Sequence, residues 1–380
     1  MDDMSVINPM LGGQTFKIGL FSANCSGGLA VTTVPERWAA EWDAIVELTC
    51  LAEEGGLEFI LPVAKWKGYA GASDILGRSY ETFTHGAALA ALTSNIAIFV
   101  TVHVPLVHPA YAAKSLATID HISHGRVGLN MVCGWNQDEF DLFGVAVDPT
   151  RRYEQGLEWY ELLMKLYDGG PEFAWDGDFY KGQHMHTNPL PIQRPRPITM
   201  SAGVSPQSQE FAGVTSDFLF TAVSALKNAP GLINDMKAYA GKFERNIGVY
   251  TMSHVVCRET KKEAEEYFYY FAEECADRDS LSYYEAKKGV KMDSPDRGGS
   301  VSPTNRLPGQ VYTGSYPGAY PLVGAPDDVA REIIHMYELG LEGMTIAFVN
   351  YLKELPFFLE AVLPRLERAG VRLPVPEETS

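Results

Sequence analysis

The sequence predicts an α/β protein that folds as a single (β/α)8 TIM barrel over residues 1–380, with insertion segments at the C-terminal face of the strands. Short apolar runs alternate with segments of helical periodicity, which is typical of βαβ units around a parallel sheet. Eight such runs can be counted. Eight units favour a closed barrel over an open doubly wound sheet, which periodicity alone leaves as the alternative.

Each predicted strand is a short apolar run bounded by turn or polar residues. The run from Val127 to Val132 follows His124 and Gly125 and ends before Gly134, so we predict a strand buried on both faces. The predicted strands are residues 16–21, 59–64, 97–104, 127–132, 198–202, 217–223, 249–256 and 344–349.

The predicted helices lie between these strands. Apolar residues at helical spacing and the Gly55-Gly56 pair define the first of them, residues 38–55. The others are residues 80–93, 109–123, 152–167, a helix that starts at Ser205, and residues 261–276, 327–340 and 353–369.

Two segments interrupt the repeat. Residues 168–197 are rich in glycine and proline, so we predict a structured loop or a short hairpin. Residues 278–321 form a longer segment, dense in glycine, proline and serine. Because a long loop in a compact domain is usually functional or disordered, we interpret this segment as a mobile active-site lid.

Composition excludes several classes of partner. A net charge of −17 argues against nucleic acids and anionic membranes, which are both polyanions. No apolar run approaches the roughly 18 residues that a membrane span needs, and the first residues lack a secretory layout. The five cysteines are scattered and odd in number, which favours a reducing compartment over a disulfide framework or a zinc pattern. We therefore expect a cytoplasmic protein.

Asn130 is the anomaly of the fourth strand. A buried carboxamide costs about 1–3 kcal/mol unless its groups are paired, so either the neighbouring backbone or a ligand must meet it. Trp135, Glu139, Arg152 and Tyr153 follow this strand closely. Aromatic, acidic and basic side chains at the carboxyl end of a barrel strand are typical of a functional site.

The ends of the other strands supply further candidates, namely Asn24, Lys65, Thr101, His103 and residues 203–205. Gly203 would let a ligand approach the backbone, and Ser205 can cap a helix whose amides attract phosphate. The alternative interpretation of Ser205 is an ordinary helix cap without a ligand. The alternative for Arg152 is an ordinary surface arginine.

His184 and His186 have the His-x-His spacing of some metal sites, but no further ligand lies at helical spacing from them, and we expect no metal. The sequence also lacks a Gly-x-Ser-x-Gly nucleophile motif, a phosphate-binding Lys-Ser/Thr loop and a dinucleotide-binding glycine motif. Nucleophilic and nucleotide-hydrolysing chemistries therefore lack their usual residues.

Three separated motifs occur in a recognisable order: LATIDHISHGRVGLNMVCGWNQDEF, then RRY, then SAGVS. Together they resemble the bacterial-luciferase-like flavin monooxygenases, which are (β/α)8 barrels that use reduced FMN and oxygen. The chain looks most like the group that holds the pyrimidine and dimethyl-sulfone monooxygenases. The resemblance covers residues 16–223 and resumes at residues 322–326.

The resemblance assigns roles to particular residues. It implies that Thr101, Asn130 and Trp135 surround the flavin N5 edge, where oxygen is bound, with Lys65 in the same catalytic set. The implied cofactor contacts are Ala64, Lys65, Asn130, Glu139, Arg152, Tyr153 and Ser205. We add Gly203 to them, because it lies two residues before Ser205. Two positions differ from the relatives. His103 stands where the pyrimidine enzyme has no histidine, and Gly134-Trp135-Asn136 stands where the sulfonate-oxidising branch has Gly-Gly-Asp.

The implied activity is that of a two-component monooxygenase. A separate NAD(P)H:flavin reductase would supply reduced FMN, and an N5-linked rather than a C4a-linked flavin peroxide would oxygenate a small pyrimidine-like amide or a sulfone. A homodimer or homotetramer is expected by resemblance alone. The alternatives are a deazaflavin-dependent dehydrogenase of the same barrel, a non-catalytic flavin-binding protein and a metal-dependent hydrolase that uses His184 and His186.

Overall fold

Eight parallel strands close into a barrel in the computed structural model, which describes residues 8–223, 225–288 and 318–374 and confirms the predicted fold. Around the barrel the order is β1, β2, β3, β4, β7, β8, β9 and β11, and β11 pairs with β1 to close it. The strands are β1 (Lys17–Phe21), β2 (Phe59–Leu61), β3 (Ala97–His103), β4 (Val127–Val132), β5 (Phe173–Asp176), β6 (Lys181–Met185), β7 (Ile198–Ala202), β8 (Phe218–Thr221), β9 (Gly248–Cys257), β10 (Tyr320–Gly324) and β11 (Gly343–Ala347).

The helices of the described residues surround this barrel. A π-helical turn, Tyr270–Glu274, follows α8, and 3₁₀ turns occupy Pro9–Leu11, Val104–Leu106 and Leu226–Asn228. The helices are α1 (Trp42–Glu54), α2 (Thr82–Leu92), α3 (Pro109–Ile122), α4 (Gln137–Leu142), α5 (Arg152–Tyr167), α6 (Pro206–Thr215), α7 (Ala229–Gly241), α8 (Lys261–Tyr269), α9 (Arg278–Lys288), α10 (Pro326–Glu338), α11 (Tyr351–Ala361) and α12 (Leu363–Arg368). None of these helices combines the length and the apolar character that crossing a membrane requires.

The amino-terminal half of the barrel interior is solid. Phe59, Phe99 and other aromatic side chains pack there, and glycines on neighbouring strands make room for them. A Cβ atom at Gly19 would lie 2.6 Å from the Phe59 ring, and one at Gly128 would lie 2.6 Å from the Phe99 ring. The described residues leave no room for a ligand at this end, so a site inside the barrel must open at the carboxyl ends of the strands.

The carboxyl end is more open. Four inward-facing apolar residues on different strands remain half-buried rather than buried: Phe21, Val132 and Ala202 at the ends of their strands, and Met252 in the middle of β9. We call the space that they surround the barrel mouth. Its position agrees with the usual placement of active sites in this fold.

Several predicted boundaries were wrong. β2 ends at Leu61 rather than at residue 64, because Val63 N–H donates to the Asn24 side chain instead of to a strand. The predicted helix 353–369 is two helices, α11 and α12, and Pro364 lies in the first turn of the second. The structure also contains α4, α7 and β10, none of which we predicted.

The structure describes the whole of the first insertion and only the two ends of the second. Residues 168–197 contain the antiparallel hairpin β5–β6, as predicted. The segment 278–321 begins with α9 and ends in the first residues of β10, which pairs with the second half of β9. The remainder of the predicted lid, residues 289–317, lies outside the described residues.

Candidate active site

Thr101 and Asn130 form the polar centre of the barrel mouth. They are register partners on β3 and β4, and both side chains are almost fully buried. The Thr101 hydroxyl donates its only proton to Pro62 O at 2.5 Å, so its oxygen must accept from Asn130 Nδ2, which lies 3.2 Å away.

This arrangement satisfies only one half of the Asn130 amide. Asn130 Oδ1 is buried, and no described residue donates to it. Of the two explanations that the sequence left open, neighbouring backbone does not account for this oxygen. A buried acceptor without a donor is unfavourable, so the atom is suited to a ligand that carries an N–H or O–H group.

Lys65 and Glu139 form a buried ion pair beside this centre. Lys65 Nζ lies 2.9 Å from Glu139 Oε1, and the two side chains are 4% and 3% exposed. The same carboxylate oxygen accepts the backbone N–H groups of Trp66 and Lys67, at 3.0 and 3.3 Å. Glu139 therefore fixes both the charge of Lys65 and the path of the loop that follows β2.

Aromatic rings surround the Lys65 ammonium group. It lies 5.1 Å from the centre of the Tyr69 ring and 5.6 Å from that of Trp135, distances typical of cation–π contacts. Trp135 is only half-buried, so one part of its indole borders the mouth. The structure thus brings three of the predicted catalytic and cofactor residues, Lys65, Trp135 and Glu139, into one cluster.

Asn24 has a positioning role. Its side chain donates to Val63 O and accepts from Val63 N–H, both at 2.9 Å. These two bonds hold the residues before Lys65 against the loop that follows β1. The half-buried Ala64, predicted to contact the cofactor, lies in this fixed segment.

His103 lies two residues beyond Thr101 on the same inward face of β3. It is buried, its ring packs edge-on against Phe140, and its Nδ1 has no hydrogen-bond partner among the described residues. Burial lowers the pKa of His103 to about 4, and the nearby Lys65 contributes to this shift while Glu139 opposes it. The imidazole is therefore uncharged at neutral pH.

A second polar group lies where α5 begins. Arg152 donates to Gly134 O at 3.1 Å, and its guanidinium lies 5.0 Å from the centre of the Tyr153 ring. Its Nε is buried without a partner among the described residues, so one donor remains for an anion. The Tyr153 ring in turn lies 6.0 Å from Phe211 in the middle of α6, so the start of α5 packs against α6.

Ser205 and Gly203 precede α6. The Ser205 side chain caps the helix by accepting Ser208 N–H at 3.2 Å, as the alternative reading of this residue expects. A Cβ atom at Gly203 would lie 2.4 Å from the Ser208 side chain, so glycine is required here by packing as well. Both residues remain partly accessible at the start of α6.

Helix α9, the first part of the segment predicted as a lid, contacts residues at one side of the mouth, and these individual contacts were not predicted. Tyr283 donates to Asp138 at 2.7 Å, Lys287 Nζ lies 2.6 Å from the same carboxylate, and the Tyr284 ring lies 6.1 Å from that of Trp135. These residues are far from α4 in the chain, so no local pattern could have indicated the contact.

His184 and His186 lie away from the mouth, on and just after β6. Both face Glu172, with Nδ1 to carboxylate distances of 3.1 and 3.8 Å, and all three side chains are exposed. In the part of the chain that the structure describes, no group of three or more histidine, cysteine, aspartate or glutamate side chains could hold a metal ion.

Comparisons with known proteins agree with this geometry. A family model described as luciferase-like monooxygenase matches residues 16–343. The FMNH2-dependent dimethylsulfone monooxygenase of Pseudomonas putida is 26% identical over 353 residues, which cover 92% of this chain and 95% of that protein. Pyrimidine monooxygenase RutA of Bradyrhizobium sp. is 27% identical over 365 residues, 94% and 98% of the two chains.

A solved structure shows the same fold. The long-chain alkane monooxygenase LadA superimposes with a TM-score of 0.80 at 21% identity, over 96% of this chain and 94% of that one. At this identity the likeness concerns the fold alone.

Proposed function

Because the chain belongs to the luciferase-like monooxygenase family, we propose that it is an FMN-dependent monooxygenase that oxygenates a small organic substrate in the barrel mouth. The observation that carries this proposal is the unpaired Oδ1 of Asn130, whose amide is fixed in the mouth by the hydrogen bond from Nδ2 to the Thr101 hydroxyl. When bound, reduced FMN supplies the electrons that activate oxygen.

The residues present suit FMN. Arg152, with one buried donor left over, and its neighbours Tyr153, Gly203 and Ser205 would hold the phosphate. Asn130 Oδ1 would accept a hydrogen bond from the ring system of the reduced cofactor. The remaining predicted contacts, from Ala64, Lys65 and Glu139, lie along the ordered loop after β2, so they can be preorganised before the cofactor arrives.

We place oxygen at the N5 side of the flavin, rather than at C4a, next to Thr101, Asn130 and Trp135. Small polar groups such as a hydroxyl and an amide can hold oxygen without filling its space, and the indole supplies bulk and one donor. Lys65, which is paired with Glu139, lies close to Trp135 and would hold the indole in place beside the oxygen site. The buried surroundings would exclude water from this region.

The substrate class and the partners follow from the relatives. We propose a pyrimidine-like amide or a sulfone, the classes in the names of the two similar enzymes. Because the sequence lacks a dinucleotide-binding glycine motif, reduced FMN would come from a separate NAD(P)H:flavin reductase. By the same resemblance the enzyme would act as a homodimer or homotetramer.

Thr101→Ala tests the assignment of the oxygen site. The change removes the hydroxyl that holds Asn130 Nδ2, so product formation from reduced FMN and oxygen should fall by about 10²-fold or more, the typical cost of losing one donor at a reacting centre. FMN affinity should stay within about threefold of the wild-type value, because the phosphate contacts are unaffected. Equilibrium binding of FMN and quantified product, with a flavin reductase present, give the two readouts.

Thr101→Ser is the matched control, since it keeps the hydroxyl and should retain most of the activity. A Thr101→Ala enzyme that forms product at the wild-type rate would refute the oxygen site at these residues. Turnover of substrate with a deazaflavin in the absence of oxygen would instead favour the dehydrogenase alternative.

A further inference from the structure

We infer that His103 contacts the substrate and makes the site specific for uncharged molecules that carry a hydrogen-bonding group. The inference rests on the proposed function, because it assumes that the substrate binds in the barrel mouth. It goes further in naming the residue that recognises the substrate and the charge that the substrate must have.

The position of His103 suits this role. It follows Thr101 by two residues on the inward face of β3, which places it about 7 Å nearer the carboxyl end of the strand than the proposed oxygen site. Its register partner on β4 is Val132, one of the half-buried residues that define the mouth. The imidazole therefore lies on the outer side of the Thr101 and Asn130 pair, where a substrate next to the oxygen site would bind.

The hydrogen bonding of His103 is incomplete. Nδ1 is buried and has no partner among the described residues, while the ring packs edge-on against Phe140. A buried polar atom of this kind normally has a partner, so a bound molecule is the partner that the described residues fail to provide. Asn130 Oδ1 on the adjacent strand also lacks a donor, but it is assigned to the cofactor ring, so of these two atoms His103 Nδ1 is the one left for the substrate.

The charges around the mouth disfavour an anionic substrate. Lys65 is neutralised by Glu139 at 2.9 Å, and Arg152 is assigned to the cofactor phosphate. His103 is itself uncharged, because burial lowers its pKa to about 4. An anion next to His103 would thus be desolvated near the Glu139 carboxylate, and the described residues of the mouth provide no free cation to compensate it.

The experiment compares probes that differ mainly in charge. The protein is loaded with FMN, and binding of dimethyl sulfone, uracil and methanesulfonate is measured by calorimetry for the wild type, His103→Leu and His103→Gln. Dimethyl sulfone and methanesulfonate are close in size and shape, but only the second is an anion. His85→Leu is the control, since His85 is an equally buried, uncharged histidine on α2, outside the mouth.

We expect at least one neutral probe to bind about tenfold or more tightly than methanesulfonate. His103→Leu should weaken binding of that probe about tenfold, while His103→Gln, which keeps a hydrogen-bonding group, and His85→Leu should stay within about threefold. FMN affinity should be unchanged in all variants. If His103→Leu fails to fold, His103→Phe, which keeps a planar ring but loses both nitrogens, replaces it in the same comparison.

Three results would overturn the inference while FMN still binds: equal affinity for methanesulfonate, unchanged affinity in the His103 variant without ring nitrogens, or no binding of any probe. Failure of the wild-type protein to bind FMN would instead overturn the proposed function. The two failures are therefore distinguishable.

Discussion

At the scale of single residues, hydrogen-bond donors and acceptors define the site more sharply than charge does. The Thr101 hydroxyl has one proton, and Pro62 O receives it, so the Asn130 amide is fixed with Nδ2 toward Thr101 and Oδ1 away from it. The Pro62 carbonyl and the Thr101 hydroxyl together determine which atom of Asn130 is available to a ligand.

Arg152→Met tests the cofactor site at the same scale. The guanidinium has a buried Nε without a partner among the described residues, and a phosphate group would satisfy it. Loss of a charge-assisted contact should weaken FMN binding by about tenfold or more, which fluorescence titration would measure. Arg151→Met is the matched control, because Arg151 is exposed and pairs with Glu154 and Asp178. Equal FMN affinity in the two variants would contradict the phosphate assignment.

The sequence indicated which residues gather at the mouth but not how they pair. Asn130 stood out because an amide in an apolar strand needs a partner, and Lys65 because it follows a strand. The ion pair between Lys65 and Glu139 could not be predicted, since it depends on how α4 packs against the loop after β2. The second role of Gly203, avoiding a clash with Ser208, was hidden for the same reason.

At the scale of elements, α4 connects the parts of the mouth. This six-residue helix is capped by Asn136 and carries two neighbouring acids with separate tasks. Glu139 points to Lys65 and the loop after β2, whereas Asp138 binds Tyr283 and Lys287 of α9. A short helix that packing alone stabilises can therefore hold a catalytic loop and a covering helix at once.

Asp138→Asn should loosen α9 without unfolding the barrel. The two hydrogen bonds from α9 lose their charged acceptor, so amide hydrogen exchange over residues 278–288 should accelerate, and the midpoint of urea unfolding should change little. Asp141→Asn serves as the control, since among the described residues the Asp141 side chain accepts a hydrogen bond only from Gln137 within α4. Unchanged exchange over 278–288 in Asp138→Asn would show that other contacts hold the helix.

The strands were easier to predict than the elements between them. The strands of a parallel sheet are buried on both faces and therefore appear in the sequence as short apolar runs. These runs located all eight barrel strands. α4 is too short for a periodic signal, and β10 lies at the end of a segment rich in glycine and proline. α7 could have been found, because Ile233, Met236 and Ala240 recur at helical spacing on its buried face.

At the scale of the whole molecule, the two ends of the barrel have different tasks. At the amino end, Arg372 donates to both carboxylate oxygens of the buried Glu58, each at 2.7 Å, and also to Phe16 O and Gly56 O. These bonds fasten the C-terminal segment to the first strands, far from the mouth. The stabilising interactions and the candidate functional groups are thereby separated, as is general in this fold.

The same view of the whole molecule predicts how its stability depends on pH. Burial lowers the pKa of His85 and His103 to about 4 and that of His254 to about 3, against about 6.5 in an unfolded chain. Between these values the unfolded chain binds protons that the folded protein does not. The contribution of these three histidines to the free energy of unfolding is therefore fully present above about pH 6.5 and is lost as the pH falls toward 4.

Urea unfolding at pH 7.5, 6.5, 5.5 and 4.5 measures this loss, to which His85 alone should contribute about 3 kcal/mol between pH 6.5 and pH 4. His85→Leu removes one of the three groups, so its free energy of unfolding should fall less steeply with decreasing pH than that of the wild type. The two slopes should differ by about 1.4 kcal/mol per pH unit within this range. His335→Gln, a change at an exposed histidine of α10, should leave the slope unaltered. Parallel curves for the wild type and His85→Leu would mean that His85 is already protonated in the folded protein, in conflict with its burial.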